Sequence, residues 1–151
     1  MKHTIISTKN KNRKIFVEVP DGYSPVSLPH FKEWIEKLES GKIKQGKGLL
    51  CETNGKCNRY CCLGVLSKIQ GRLNKNSDGV FHDGGNKYYL SLYNPANNVF
   101  SNKGDFPKEA LVTIKMEDKD YLLRRTDLAA LNDIGFSFKD ISKVIKILWK
   151  E

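Results

Sequence analysis

Four cysteines, Cys51, Cys57, Cys61 and Cys62, fall in one short stretch of this chain. A thiol is the side chain most open to two chemistries, metal ligation and nucleophilic attack. The spacing C-x5-C-x3-C-C is not that of a zinc site, where paired C-x2-4-C knuckles or histidine partners recur. Successive helical residues point about 100° apart, so Cys61 and Cys62 do not converge on one ion. Between the first two cysteines lies Asn54-Gly55, a strong hairpin signal because both residues tolerate the positive φ of a tight primed turn. The register it sets puts Cys57 opposite Glu52, with Cys51 and Cys57 on opposite faces of the ribbon. The reading is therefore four reduced thiols packed as small hydrophobes, with no metal and no cofactor. As a nucleophile, Cys61 or Cys62 would gain from a helix N-terminus, which lowers a thiol's pKa. The base it needs is not in place: His3, His30 and His82 are scattered, and His82 is the one worth considering.

Phosphate chemistry is the next candidate. No G-x4-G-K-[ST] loop occurs, and the QGKG beginning at Gln45 is too short to count. Lys and Arg number 26 against 17 Asp and Glu, a net charge of +9 with pI near 9.4, which favours an anionic partner. The lysines run from Lys2 to Lys150 without forming a block, so a solvated surface, a polynucleotide and a small phosphate ligand all remain open. For a small ligand, Lys44, Lys47, Arg59, Arg124 and Arg125 are candidates for phosphate. Tyr60 and Tyr88 are candidates for a base, and Asn132 and Asp133 for ribose or base edges. The plain alternative is that Asn132 and Asp133 finish a helix and the lysines are surface. Asp133 or Asp83 as a general base would make the chain a nucleotide hydrolase. Glu117, Asp118 and Asp120 alternate with lysine and read as a solvated turn.

The elements that must position these residues follow from periodicity. Thr4 to Thr8 and Lys14 to Val19 read as a hairpin. SLPHFKEWIEKLESGK reads as a helix capped by Ser27, with Pro29 in its first turn, Phe31, Trp34, Ile35 and Leu38 on one face, and Gly41 as its stop. Strands are expected at about Gly48 to Thr53 and Lys56 to Tyr60. A helix follows with Cys62, Val65, Leu66 and Ile69 on its buried face and Gly71 in a left-handed cap. NKNSDGVFHDGGNK reads as a loop, YYLSLY as a strand ended by Asn94-Pro95, and Val99-Phe100 as the start of another. DFPKEAL allows a helical turn, while Val112-Thr113-Ile114 prefer a strand. Near the C-terminus two helices are expected. Thr126 caps the first and Gly135 ends it, and Ser137 with Asp140 caps the second. In that second helix Ile141, Val144, Ile145 and Leu148 are buried, and Lys139, Lys143, Lys146 and Lys150 are exposed. The sum is a single α+β domain over residues 1–151, a small antiparallel sheet against about three principal helices.

HFKEWIEKLESGKIKQGKG, YCCLGVL and LAALNDIGFSFKDISKVI, in that order, resemble a family of small uncharacterised proteins common in bacteriophage genomes. The resemblance runs from about Phe31 to Ile147; the N-terminal hairpin, Cys51 and Cys57 lie outside it. It implies a phage source and a bacterial cytoplasmic setting, and no settled activity. No apolar run reaches the ~18 to 20 residues of a membrane span, and MKHTIISTKNKNRKIF is not a secretory signal. The expected role is a phage accessory protein that sequesters a nucleotide-like signal of bacterial immunity. Three alternatives stand beside it: a nucleotide-signal hydrolase, a protein-binding inhibitor of a host enzyme, and a nucleic-acid binder. The last rests on LNDIGFSFKDISKVI, which resembles the opening of a helix-turn-helix, although no recognition helix follows before Glu151. Self-association is allowed by the sequence.

Overall fold

The computed structural model describes residues 1–46, 51–53, 57–71, 73–75, 81–83, 92–94, 99–101, 106–116, 119–123 and 127–151. In chain order come β1 (Lys2–Ile6), β2 (Lys14–Glu18), β3 (Val26–Ser27), α1 (Phe31–Glu39), β4 (Cys51–Thr53), β5 (Cys57–Tyr60) and α2 (Cys62–Ile69). They are followed by β6 (Leu73–Lys75), β7 (Phe81–Asp83), β8 (Leu92–Asn94), β9 (Val99–Ser101), β10 (Leu111–Met116) and β11 (Lys119–Leu123). The chain closes with α3 (Leu128–Ile134), α4 (Phe138–Leu148) and β12 (Trp149–Lys150). The main sheet has the order β1-β2-β10-β11 and is antiparallel throughout. With α1, α2 and α4 as the longer helices and α3 a short one, the fold is α+β.

Alternation decides which face of the sheet is buried. Ile5, Ile15 and Ile114 are aligned across β1, β2 and β10, and Val17 pairs with Val112 in the next buried row. These side chains join Trp34, Leu38, Leu66, Leu131, Ile145 and Leu148 in one hydrophobic cluster running from Ile5 to Trp149. α1 packs against both α2 and α4, so its Trp34-Ile35-Leu38 face is covered from two sides. α2 is buried more completely than its period implies. Leu63 and Ser67 are as enclosed as Val65 and Leu66, and Lys68 is its one exposed residue.

Several expectations need correction. Ser27 does not cap α1: it lies in β3, which runs parallel to β12, and the helix begins after His30, whose φ is 65°. Pairing of Val26 with Trp149 holds this segment extended, and Leu28 continues it by donating its N–H to the Lys150 carbonyl (2.7 Å). The cap of α3 is Asp127, not Thr126, with its carboxylate accepting from Ala130 N–H at 2.7 Å. Part of the expected loop after Gly71 is a ribbon, β6 pairing with β7. Asp120 belongs to β11 rather than to a turn. In the β4-β5 ribbon a bulge between Glu52 and Thr53 moves Cys57 opposite Thr53 and Arg59 opposite Glu52. It also aligns buried Cys51 with buried Tyr60, a one-residue gain that satisfies the core side of the ribbon. The turn at Asn54-Gly55 lies outside the described residues.

Other signals were read as they stand. Gly71 and Gly135 hold positive φ, 70° and 112°, at the ends of α2 and α3. Ser137 and Asp140 form a complete capping box on α4. Asp140 is fully buried and also accepts from Thr8 N–H, 3.2 Å to either carboxylate oxygen, tying the end of β1 to α4. Asp140→Ala strands the Thr8 and Ser137 donors, and an equilibrium urea titration is expected to show a loss of about 2 to 3 kcal/mol.

Candidate functional site

The contact that organises this part of the chain is a buried amide. Asn132 lies on the inner face of α3 with Leu128 and Leu131, and none of it reaches solvent. Its Oδ1 accepts from Gln45 Nε2 (2.9 Å) and from Cys62 N–H (3.2 Å). Its Nδ2 donates to the Gly46 carbonyl (2.6 Å) and, more weakly, to Asp133 Oδ1 (3.4 Å). Gln45 Nε2 also donates to the Phe136 carbonyl at 2.8 Å. One side chain thus joins the segment after α1, the start of α2 and the end of α3. Its polar atoms are engaged with partners inside the chain.

Gln45 in turn bridges to Tyr60, whose N–H donates to the Lys44 carbonyl (2.9 Å) and whose carbonyl accepts from Gly46 N–H (2.8 Å). Lys44, Arg59, Tyr60, Asn132 and Asp133 are therefore gathered around Gln45-Gly46, with Lys44, Arg59 and Asp133 exposed and Tyr60 only 8% exposed. Lys47, Tyr88, Arg124 and Arg125 lie outside the described residues.

Beside this cluster, between α1 and α2, is a groove of about 450 Å³, within the ~300 to 1,000 Å³ range of small-molecule sites. One wall is a polar stripe of α1, Glu33, Glu36, Lys37 and Ser40, spaced i, i+3, i+4 and i+7 so that all share a face. The other is Val65, Lys68 and Ile69 of α2, with Lys42, Ile43 and Tyr60 closing the end. Lys68 Nζ donates to the Tyr60 hydroxyl at 3.0 Å and sits 5.0 Å from the ring centroid, so the ammonium lies at the hydroxyl end of the ring. His30 Nδ1 stands 3.8 Å from a Glu33 carboxylate oxygen at the far end. Of the residues lining this groove, Tyr60 is among the candidates expected from sequence, and Lys37, Lys42 and Lys68 are not. The signal available was positional: Lys68 is the single charge in the apolar helix CLGVLSKI, and Lys37 and Lys42 flank the Gly41 stop.

A second hollow, about 490 Å³ and lined in part by His3, Asp21, Tyr23 and Lys146, is a weaker candidate. Lys146 is held by Glu39 at 2.6 Å. The Tyr23 hydroxyl donates to the Leu148 carbonyl at 2.8 Å, and its pKa is pushed up to about 12 by burial and then by Glu109.

Cys61 and Cys62 are free thiols, but not activated ones. Cys61 caps α2, its Sγ accepting from Gly64 N–H at 3.3 Å. Burial nevertheless pushes its pKa up to about 11, against the lowering effect of the Gly64 and Leu63 amides. Cys62, wholly buried, is raised further by desolvation and by its neighbour Cys61. The expected helix-terminus activation is thus overturned: exclusion of water outweighs the amides. Four reduced thiols were expected, but Cys51 is disulfide-bonded; the bulge shifts the register that would have set Cys51 and Cys57 on opposite faces of the ribbon. Among the described residues no group of three or more His, Cys, Asp or Glu converges to hold a metal ion, and no helix is long and apolar enough to cross a membrane.

The raised thiols carry a sign. Unfolded cysteine loses its proton near pH 8.5, whereas folded Cys61 keeps it to about 11, so between these values the unfolded state binds fewer protons and stability falls as pH rises. Folded Cys61→Ser lacks that titration. The stability difference between wild type and this variant is expected to move against wild type by about 1 to 2 kcal/mol between pH 8 and pH 10.5, read from urea midpoints.

The fold and groove define a small α+β protein with a mixed-charge cleft between two helices. A family model described as a domain of unknown function (DUF8296) matches residues 30–148, and the chain belongs to that family. No curated protein and no solved structure matches the chain.

Proposed function

We propose that this chain is a phage accessory protein that binds a small phosphorylated, nucleotide-like molecule in the α1-α2 groove and withholds it from a bacterial defence response. The observation that carries the reading is the meeting of Lys68 with Tyr60 in a groove that also holds Lys37 and Lys42. Ammonium groups supply charge-assisted donors for phosphate oxygens. The tyrosine edge with Ile43, Val65 and Ile69 supplies an apolar floor for a base. Lys44, whose carbonyl accepts from Tyr60 N–H, and Arg59, the residue before Tyr60, lie near the groove without lining it. Asn132 takes a positioning role, holding the Gln45-Gly46 segment against β5. The phage setting rests on the motif resemblance.

A thermal-shift screen against mononucleotides, cyclic dinucleotides, cyclic ADP-ribose isomers and short DNA, with chromatography of each ligand afterwards, tests this. Stabilisation by a nucleotide recovered intact is the expected result. A cleaved product would make the protein a hydrolase, and no shift with any ligand would move the target to a host protein.

Nucleic-acid binding is the second reading, favoured by the exposed lysines of α4, Lys139 and Lys143, beside the α3-Gly135-α4 joint. It requires a salt-sensitive mobility shift with duplex DNA.

A further inference from the structure

From the charge and length of the groove we infer that its ligand is a single ribonucleotide carrying one phosphate and a free ribose cis-diol, not a polyphosphate and not a dinucleotide. This rests on the nucleotide reading above. Three lysines, Lys37, Lys42 and Lys68, face two glutamates, Glu33 and Glu36, a balance of 3 − 2 = +1. Both helices also turn C-terminal ends toward the lysines, because Lys37 and Lys68 sit in the last turns of α1 and α2. The partial negative charge there, about half an elementary charge per helix, reduces the positive potential further. A polyphosphate would bring far more negative charge than this groove neutralises, and the two carboxylates would repel it.

The charges are also ordered along the groove. Glu33 lies toward one end of α1, Lys37 and Ser40 toward the other, and Lys42 continues past the helix. At 1.5 Å rise per residue, Glu33 to Ser40 spans roughly 10 Å, room for one nucleotide along the helix and not for two. Phosphate belongs at the lysine end, where Ser40 is a spacer whose hydroxyl already donates to the Lys37 carbonyl (2.8 Å). The Glu33 and Glu36 carboxylates, which can only accept, then meet the hydroxyls of the ribose, a pairing that carboxylates make with sugar diols elsewhere. The apolar floor by Tyr60 is left for the base.

Titration calorimetry with AMP and GMP, their 2′-deoxy forms, ATP and GTP, and cyclic di-AMP and cyclic di-GMP tests the assignment. The monophosphates are expected to bind about tenfold or more tightly than the triphosphates and dinucleotides, and removal of the 2′-hydroxyl to weaken binding about five- to tenfold. The double variant Glu33→Gln with Glu36→Gln is expected to narrow the gap between monophosphate and triphosphate, since the repulsive charges are gone while the helix and lysines remain. If triphosphates or dinucleotides bind wild type as tightly as monophosphates, the selection is wrong and the nucleotide reading stands. Equal binding of deoxy and ribo forms overturns the diol assignment. Failure of every nucleotide to bind overturns both this inference and the reading beneath it.

Discussion

Asn132→Leu is expected to lower the free energy of unfolding by about 3 to 5 kcal/mol, measured by equilibrium denaturation with urea. The substitution nearly conserves volume, so the effect isolates hydrogen bonding. It strands the Gly46 carbonyl and the Cys62 N–H, both buried, and removes one of the two partners of Gln45 Nε2. Each orphaned buried group costs about 1 to 3 kcal/mol, against a total stability of about 5 to 15 kcal/mol for a domain of ordinary size. Asn132→Asp adds a pH signature. Its carboxylate would face the Gly46 carbonyl oxygen across the 2.6 Å now spanned by a donated hydrogen, so its folded pKa must rise. A raised carboxyl binds its proton more tightly when folded, so the variant recovers stability as pH falls through that raised value. A loss under 1 kcal/mol for Asn132→Leu would mean that water replaces the amide.

Trp34→Ala carries the second large expectation, a loss of about 3 to 5 kcal/mol. Trp34 is fully buried, and its Nε1 donates to the Cys62 carbonyl at 2.9 Å, so it fills the space between α1 and α2 and also ties their backbones. Trp34→Phe separates the two contributions. It keeps most of the packing and loses the bond, and a cost of about 1 to 2 kcal/mol is expected. Because α1 and α2 are the walls of the groove, Trp34→Ala should also weaken ligand binding, whereas Trp34→Phe should leave it nearly intact.

What could be read in the sequence was local. The i, i+3, i+4 spacing of Trp34, Ile35 and Leu38, the serine and aspartate of the Ser137 capping box, and the glycines at 71 and 135 each depend on a few neighbouring residues. What could not be read depends on distant chain. Ser27 looks like a helix cap until Trp149 and Lys150 arrive to pair with its strand. The bulge in the β4-β5 ribbon follows from burying Cys51 and Tyr60 together, which the Asn54-Gly55 turn signal does not encode. Asn132 shows both sides. It was expected to meet a ribose or base edge, or else to finish a helix; it does lie in the last part of α3, but its partners, Gln45 and Cys62, are some 70 or more residues away in sequence. The lining of the groove was legible only in Tyr60, singled out by its type; Lys37, Lys42 and Lys68 were not, because one lysine among many has no distinguishing pattern until the fold places it.

The most direct measurement compares two charge-matched triple variants by titration calorimetry against a ribonucleoside monophosphate. One is Lys37→Ala, Lys42→Ala, Lys68→Ala in the groove; the other is Lys2→Ala, Lys139→Ala, Lys143→Ala elsewhere on the exposed surface. Loss of binding by about a hundredfold in the first, and less than about threefold in the second, is the predicted result. Equal losses in the two would show that the ligand answers to the overall positive charge of the protein, and the groove would not be its site.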